Sequence, residues 1–316
     1  MPLIQLEARD GVLRLFGASP PAACVLRGAA RRARRIIVMV HGAKYAPGDP
    51  HHCPHRKILG PRGWAAHLGA DPDTLLVAFG WHARGGLRLA QVQARRDGKL
   101  LARTLRHLRA AGLLPPVRIM AHSLGASLAL EALHHAPAQS VGRMLLLNAA
   151  VHRDLAHDAM LTPAGRNAEL VHLRSGENLL FDLAFERMIP GAGALGRGPL
   201  CLPWTADVRI DCPRSLAALA RLGYPLAAPL RRVCHWSAYT RPGVMRLNAA
   251  LLNDANALPL RTLQRLDAQD AAAPLAPAGQ TRIMPKAHAT GKFAHDHTHR
   301  SVFLANAQRV EGVRLS

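Results

Sequence analysis

Six short apolar runs, each followed by a turn signal and most by a segment with helical spacing, constrain this chain more than any other feature. They are Ile36-Ile37-Val38-Met39-Val40, Thr74-Leu75-Leu76-Val77-Ala78-Phe79, Val117-Arg118-Ile119-Met120-Ala121, Met144-Leu145-Leu146-Leu147, Leu170-Val171-His172-Leu173 and the shorter Ala206-Val208-Ile210. A strand with one wet face alternates apolar and polar residues, whereas a strand covered on both faces reads as a continuous apolar stretch. Leu87 to Leu108 carries leucines toward one face and arginines on the other, as a surface helix does. Ser127 to His135, Ser215 to Leu222 and Val244 to Leu252 read as further helices. Strand and helix in alternation predict an α/β domain: a mostly parallel sheet with helices on both faces. Ahead of it, two apolar runs between Leu3 and Phe16 flank Asp10-Gly11, a hairpin turn pair. No apolar run approaches the ~20 residues of a membrane span.

The domain is expected over residues 1–255, with the Gly/Pro-rich stretch from Arg187 and the segment around 185–225 as a possible lid. Residues 256–316 are expected to form an Ala/Pro- and His-containing extension, extended or partly disordered. The chain carries 41 basic and 20 acidic residues, a net charge of +21, and 36 of the basic residues are arginine. Such an excess attracts anions, yet Arg, Ala, Pro and Gly are also enriched together by GC-rich coding. Without an aromatic RNA-binding motif, a zinc finger or a recognition helix, no nucleic-acid partner is expected. The five cysteines are widely spaced with no C-x-x-C pair, which argues for reduced thiols rather than a disulfide frame. The first residues lack a basic segment followed by an apolar one, so a cytoplasmic location is the expectation. Oligomeric state is open.

Chemistry concentrates at Ala121-His122-Ser123-Leu124-Gly125, between a buried strand and the helix Ala126-Ser127-Leu128-Ala129-Leu130-Glu131. A serine on a sharp strand-to-helix turn needs small residues two positions before and after it. Ala121 and Gly125 supply them, and the helix N-terminus places a positive dipole end beside the hydroxyl. Ser123 is therefore the candidate nucleophile. A second cluster, Asp49, His51, His52, Cys53 and His55, sits in a Pro-rich loop. Its tight spacing and the want of a downstream partner argue against a metal site, leaving a pocket wall or a solvated loop.

The elbow around Ser123, with His41-Gly42 closing an upstream strand, resembles the α/β-hydrolase superfamily over about residues 1–255. The resemblance implies a serine esterase or lipase-like enzyme that needs no cofactor, acting on a small-molecule or lipid ester or thioester. It implies an oxyanion hole from the amides of Leu124 and Ala43, with Gly42 framing the turn, and substrate contacts at His41 and His122. The superfamily's order of nucleophile, acid and histidine directs the search for the base beyond the later strands. Among 18 histidines, His235 alone lies between His172 and His288; His288, His295, His297 and His299 fall in the biased tail. The acid is expected just after Leu173 at Glu177, with Asp182 as the alternative. Asn178 is able to orient the histidine without charge, and Asp154 is a further option. An acyltransferase would use the same parts. A non-catalytic scaffold binding an anionic partner through its arginines is the alternative from another class.

Overall fold

The computed structural model describes residues 2–68, 71–110 and 116–271. Eight strands form one sheet: β1 (Leu3–Arg9), β2 (Val12–Leu15), β3 (Arg35–Val40), β4 (Thr74–Trp81), β5 (Val117–His122), β6 (Val141–Leu147), β7 (Glu169–Arg174) and β8 (Thr205–Arg209). Their order across the sheet is β2-β1-β4-β3-β5-β6-β7-β8, and every pairing is parallel except that of β1 with β2. Asp10 (φ 52°) and Gly11 (φ 74°) join that antiparallel pair in the left-handed conformation, as a two-residue hairpin demands. The mostly parallel α/β architecture read from the sequence is the one observed.

Longer helices cover both faces: α1 (Ala22–Ala30), α4 (Leu87–Arg109), α5 (Leu124–Leu133), α6 (Arg153–Leu161), α7 (Leu179–Met188), α8 (Pro213–Arg221), α10 (Val244–Asn253) and α11 (Leu260–Ala271). Short ones fall at α2 (Pro54–Lys57), α3 (Trp64–Leu68) and α9 (Ser237–Thr240). The period-two alternation of the strands splits the core into two layers. Val38, Val40, Val77, Phe79, Ile119 and Ala121 pack with Leu26 of α1, Leu101 and Leu105 of α4, and Leu128 of α5. Ile37, Met39, Leu76, Met120, Leu145 and Val171 pack on the other side with Trp64 of α3, Leu219 of α8, Leu247 of α10 and Leu263 of α11. Both faces being covered explains why these strands read as unbroken apolar runs.

Two boundaries differ from the sequence reading. The compact unit does not stop at 255: α11 follows, with Leu263 and Leu266 buried and Gln264 donating to the carbonyls of Pro203 and Thr205. The 185–225 segment is not a continuous loop, because it supplies β8 and α8. The His-rich tail lies outside the described residues. No helix among the described residues is long and apolar enough to cross a membrane. All five cysteines are free thiols.

Candidate active site

β5 ends at His122 and α5 begins at Leu124, so Ser123 alone makes the turn, at φ 54° and ψ −126°. A non-glycine residue held there stores strain, and the neighbouring main chain fixes it. The Ser123 N–H donates to the Leu147 carbonyl (3.1 Å), and its own carbonyl accepts from Ala126 (2.9 Å) and Ala150 (3.1 Å). Gly125 is required by close approach: a Cβ there would lie 2.5 Å from the His41 oxygen and 2.8 Å from that of Val40.

The loop before α9 delivers His235 to this serine. Its Nε2 lies 2.8 Å from Ser123 Oγ, and its Nδ1 lies 2.6 Å from Asn178 Oδ1. An amide oxygen only accepts, so Nδ1 carries the proton and Nε2 presents its lone pair to the serine hydroxyl. The His235 main chain is anchored from β5 and β6. Its carbonyl accepts from His122 Nε2 (3.1 Å) and from Asn148 Nδ2 (3.0 Å). The ring stacks on Phe181 at 4.6 Å between centroids. Burial, then the neighbouring His122 and Lys44, hold His235 well below the ordinary histidine pKa.

The acid position departs from the sequence expectation. Glu177 does not face His235: its Oε2 accepts from Ser175 Oγ (3.1 Å) and lies 3.7 Å from Arg241, while its carbonyl holds the Cys234 N–H (2.8 Å). The side chain on His235 is that of Asn178, the next residue in the single 3₁₀ turn Gly176–Asn178. Asp182, one turn further along α7, accepts from Asn178 Nδ2 at 2.9 Å and so stands behind the amide. Asp154 is exposed and binds the N–H of Leu155 at the start of α6.

Gly42 lies against Ser123, since a Cβ on it would fall 2.7 Å from Ser123 Cβ. Leu124 is the first residue of α5, so its N–H has no acceptor within the helix. Lys44, by contrast, spends its N–H on the Ala83 carbonyl (2.8 Å). His41 is fully buried and both ring nitrogens are engaged: Nδ1 with the Gly42 carbonyl (2.8 Å), Nε2 with the Trp81 N–H (3.1 Å). It braces the loop and has no atom to offer a substrate, which corrects the expected substrate contact. Burial lowers it to about 3. His122 is likewise directed inward, its ring packed between His235 and Tyr239. Burial lowers it to about 4.

The His/Cys loop is built around an Asp turn. Asp49 Oδ1 accepts from the N–H groups of His51 (2.9 Å) and His52 (2.7 Å), while Arg84 lies 3.2 Å from Oδ2. His55 is buried, bonded to the Leu6 carbonyl and packed on Phe16. Among the described residues no group of three His, Cys, Asp or Glu side chains is arranged to hold a metal. The sequence reading missed Asn148, Phe181 and Tyr239. The strand end at Leu147 was a signal for Asn148, which takes φ 42° there; the other two carry none.

No family model matches the chain, and no curated protein matches it in sequence. Among solved structures it is similar to TT1662 from Thermus thermophilus, at 16% identity and a TM-score of 0.37, covering 70% of this chain and 88% of that one.

Proposed function

We propose that this chain is a serine hydrolase that cleaves a carboxylic ester or thioester through an acyl-enzyme. The observation that carries the reading is the line of two short hydrogen bonds from Ser123 Oγ through His235 to Asn178. His235 Nε2 takes the proton as Ser123 Oγ attacks the carbonyl carbon, and the resulting tetrahedral oxyanion lies toward the amides of Leu124 and Ala43. The imidazolium, steadied through Nδ1–H by the Asn178 oxygen, then returns the proton to the departing alkoxide or thiolate. Water repeats the sequence on the acyl-enzyme and releases the acid. Each step uses only this chain's side chains and main-chain amides, so the reading calls for no cofactor. A small-molecule or lipid ester is the substrate class.

The test is covalent labelling by a fluorophosphonate probe. Wild-type protein labels at Ser123, and Ser123→Ala and His235→Ala each abolish labelling while the far-UV circular dichroism stays native. Folded wild-type protein that resists the probe overturns the reading and turns attention to the scaffold alternative, whose binding to an anionic partner would collapse with salt.

A further inference from the structure

The line of bonds from the serine does not end at Asn178. Asp182, 4% exposed, lies one helical turn further on and receives the second half of the amide at 2.9 Å. We propose that Asp182 is the positioning carboxylate of this site, setting the orientation of Asn178 and, through it, the protonation pattern of His235. The inference rests on the reading of Ser123 and His235 given above and adds a residue to it.

The argument is one of donors and acceptors. An ionised carboxylate only accepts, so the Asn178 NH₂ group must face Asp182 and its oxygen must face His235. That oxygen accepts only from a protonated Nδ1, which leaves Nε2 as the base toward Ser123. With the amide reversed, its NH₂ would face Nδ1 and draw the proton to Nε2, and the base would be lost. Asp182 thus prevents the wrong tautomer without touching the histidine. Its negative charge also lies behind the amide when the imidazolium forms, on the side where Asn178 itself contributes none.

The surroundings fit a carboxylate held in place. A Cβ on Gly196 would fall 2.5 Å from Asp182 Oδ2, so only glycine lets that segment close over it. The charged and titratable groups acting on it are His172 and Arg174 of β7 and Glu186 of α7. His172 Nδ1 is itself bonded to buried Asp207 of β8 (3.1 Å), its Nε2 accepting the Ala149 N–H (3.3 Å). Arg174 also bonds Asp207. Burial is the largest influence and pushes the Asp182 carboxyl up to about 6, against the opposing pull of His172 and of the Asn178 bond.

The experiment measures kcat and KM for p-nitrophenyl acetate from pH 5 to 9 in wild type, Asp182→Asn and the exchange variant Asn178→Asp/Asp182→Asn. The wild type should lose activity as pH falls through about 6. Asp182→Asn should lower kcat above pH 7 by about 10- to 100-fold, the range for removing a partner that orients a reacting group, with KM within about twofold. Its residual activity should lack the inflection near 6, a loss that a purely structural role would not cause. The exchange variant, with a carboxylate directly on His235 and an amide behind it, should recover kcat to within about threefold. If Asp182→Asn fails to fold, the wild-type inflection and the exchange variant still decide. A wild-type profile flat through pH 6, an Asp182→Asn kcat equal to wild type, or an exchange variant as poor as Asp182→Asn overturns the proposal while Ser123 labelling stands. Absence of that labelling in wild type overturns both readings.

Discussion

Gly42→Ala adds one methyl group next to Ser123 and, on the proposed reading, should disable the site without unfolding the protein. The φ of Gly42 is not in the left-handed region, so the glycine serves space and not conformation. An alanine Cβ would lie 2.7 Å from Ser123 Cβ, 3.0 Å from the His122 oxygen and 3.2 Å from His122 Nδ1. Carbon atoms pack at roughly 3.5–4.0 Å, so one partner must retreat by about 1 Å. Ser123 is unable to do so, because its N–H and carbonyl are held by Leu147, Ala126 and Ala150. The loop moves, and the Ala43 amide moves with it. A 1 Å misplacement costs about 100-fold in rate, close to the about 10²–10³-fold lost with an oxyanion donor. The expected fall in kcat/KM is about 100-fold, or about 2.7 kcal/mol. Overpacking should also cost about 1–3 kcal/mol of stability, leaving the protein folded at 25 °C. Turnover of a p-nitrophenyl ester, with near-UV circular dichroism as the folding check, measures it. Gly28→Ala is the control, since a Cβ on that helix α1 glycine meets nothing within 4 Å. It should leave turnover unchanged and raise stability by up to ~1 kcal/mol. Gly42→Ala with kcat/KM within threefold of wild type would refute the proposal that the Gly42–Ala43 loop forms an oxyanion hole.

Acid should weaken the fold well before ordinary carboxylates titrate. Burial holds His41 at about 3 and His55 and His122 at about 4, against about 6.5 in the unfolded chain. The unfolded state therefore binds more protons below pH 6.5, and stability falls as pH drops. Each histidine costs ~2 kcal/mol at pH 5, while Asp97 and Asp182, both raised to about 6, gain protons in the folded state and return ~1.4 kcal/mol each. These five groups give a loss of about 3 kcal/mol between pH 7.5 and 5, buried His235 acts in the same direction, and the urea midpoint should fall; equal midpoints would contradict the burial of these rings. Arg143→Ala removes a buried guanidinium bonded to Glu169 (2.8 Å) and to the carbonyls of Leu251 and Leu258 (3.1 Å each). It should cost on the order of 3 kcal/mol, a Tm lower by roughly 6–12 °C, with probe labelling at 25 °C intact. A Tm within 2 °C of wild type would show that these bonds do not hold the end of α10.

The strands of this fold were legible because burial on both faces favours apolar residues along most of their length, and β3 and β4 are the clearest cases. Helix α1 runs into the basic residues from Arg27 onward, and α11 lies at the edge of an Ala/Pro-rich stretch, so neither is set off from its surroundings in the sequence. The same division runs through the site. Ser123 is marked by local requirements: a strand before it, a helix after it, and a glycine two residues on that lets α5 approach the end of β3. The residue facing Nδ1 of His235 is decided at long range. Ser175 binds both the N–H and the carboxylate of Glu177, which lies beside Arg241 from after α9. That turns Asn178 toward His235. His41 misled for a related reason: a polar residue closing a strand reads as a site residue, and only the pairing of β3 with β4 brings Trp81 to occupy it.

An amide at position 178 has a consequence that an aspartate would not. A carboxylate in contact with His235 would raise the affinity of the ring for a proton and set the acid limit of the reaction by the histidine itself. Here burial, His122 and Lys44 all act to keep the ring neutral, and nothing bonded to it opposes them with a full charge. These influences favour the neutral ring, the form in which Nε2 accepts a proton. Stabilising the imidazolium once it forms is the harder demand, and the nearest carboxylate behind the amide is Asp182. On the proposed reading, the acid limb of activity is expected to follow Asp182, whose carboxyl burial raises to about 6, ahead of the loss of the fold.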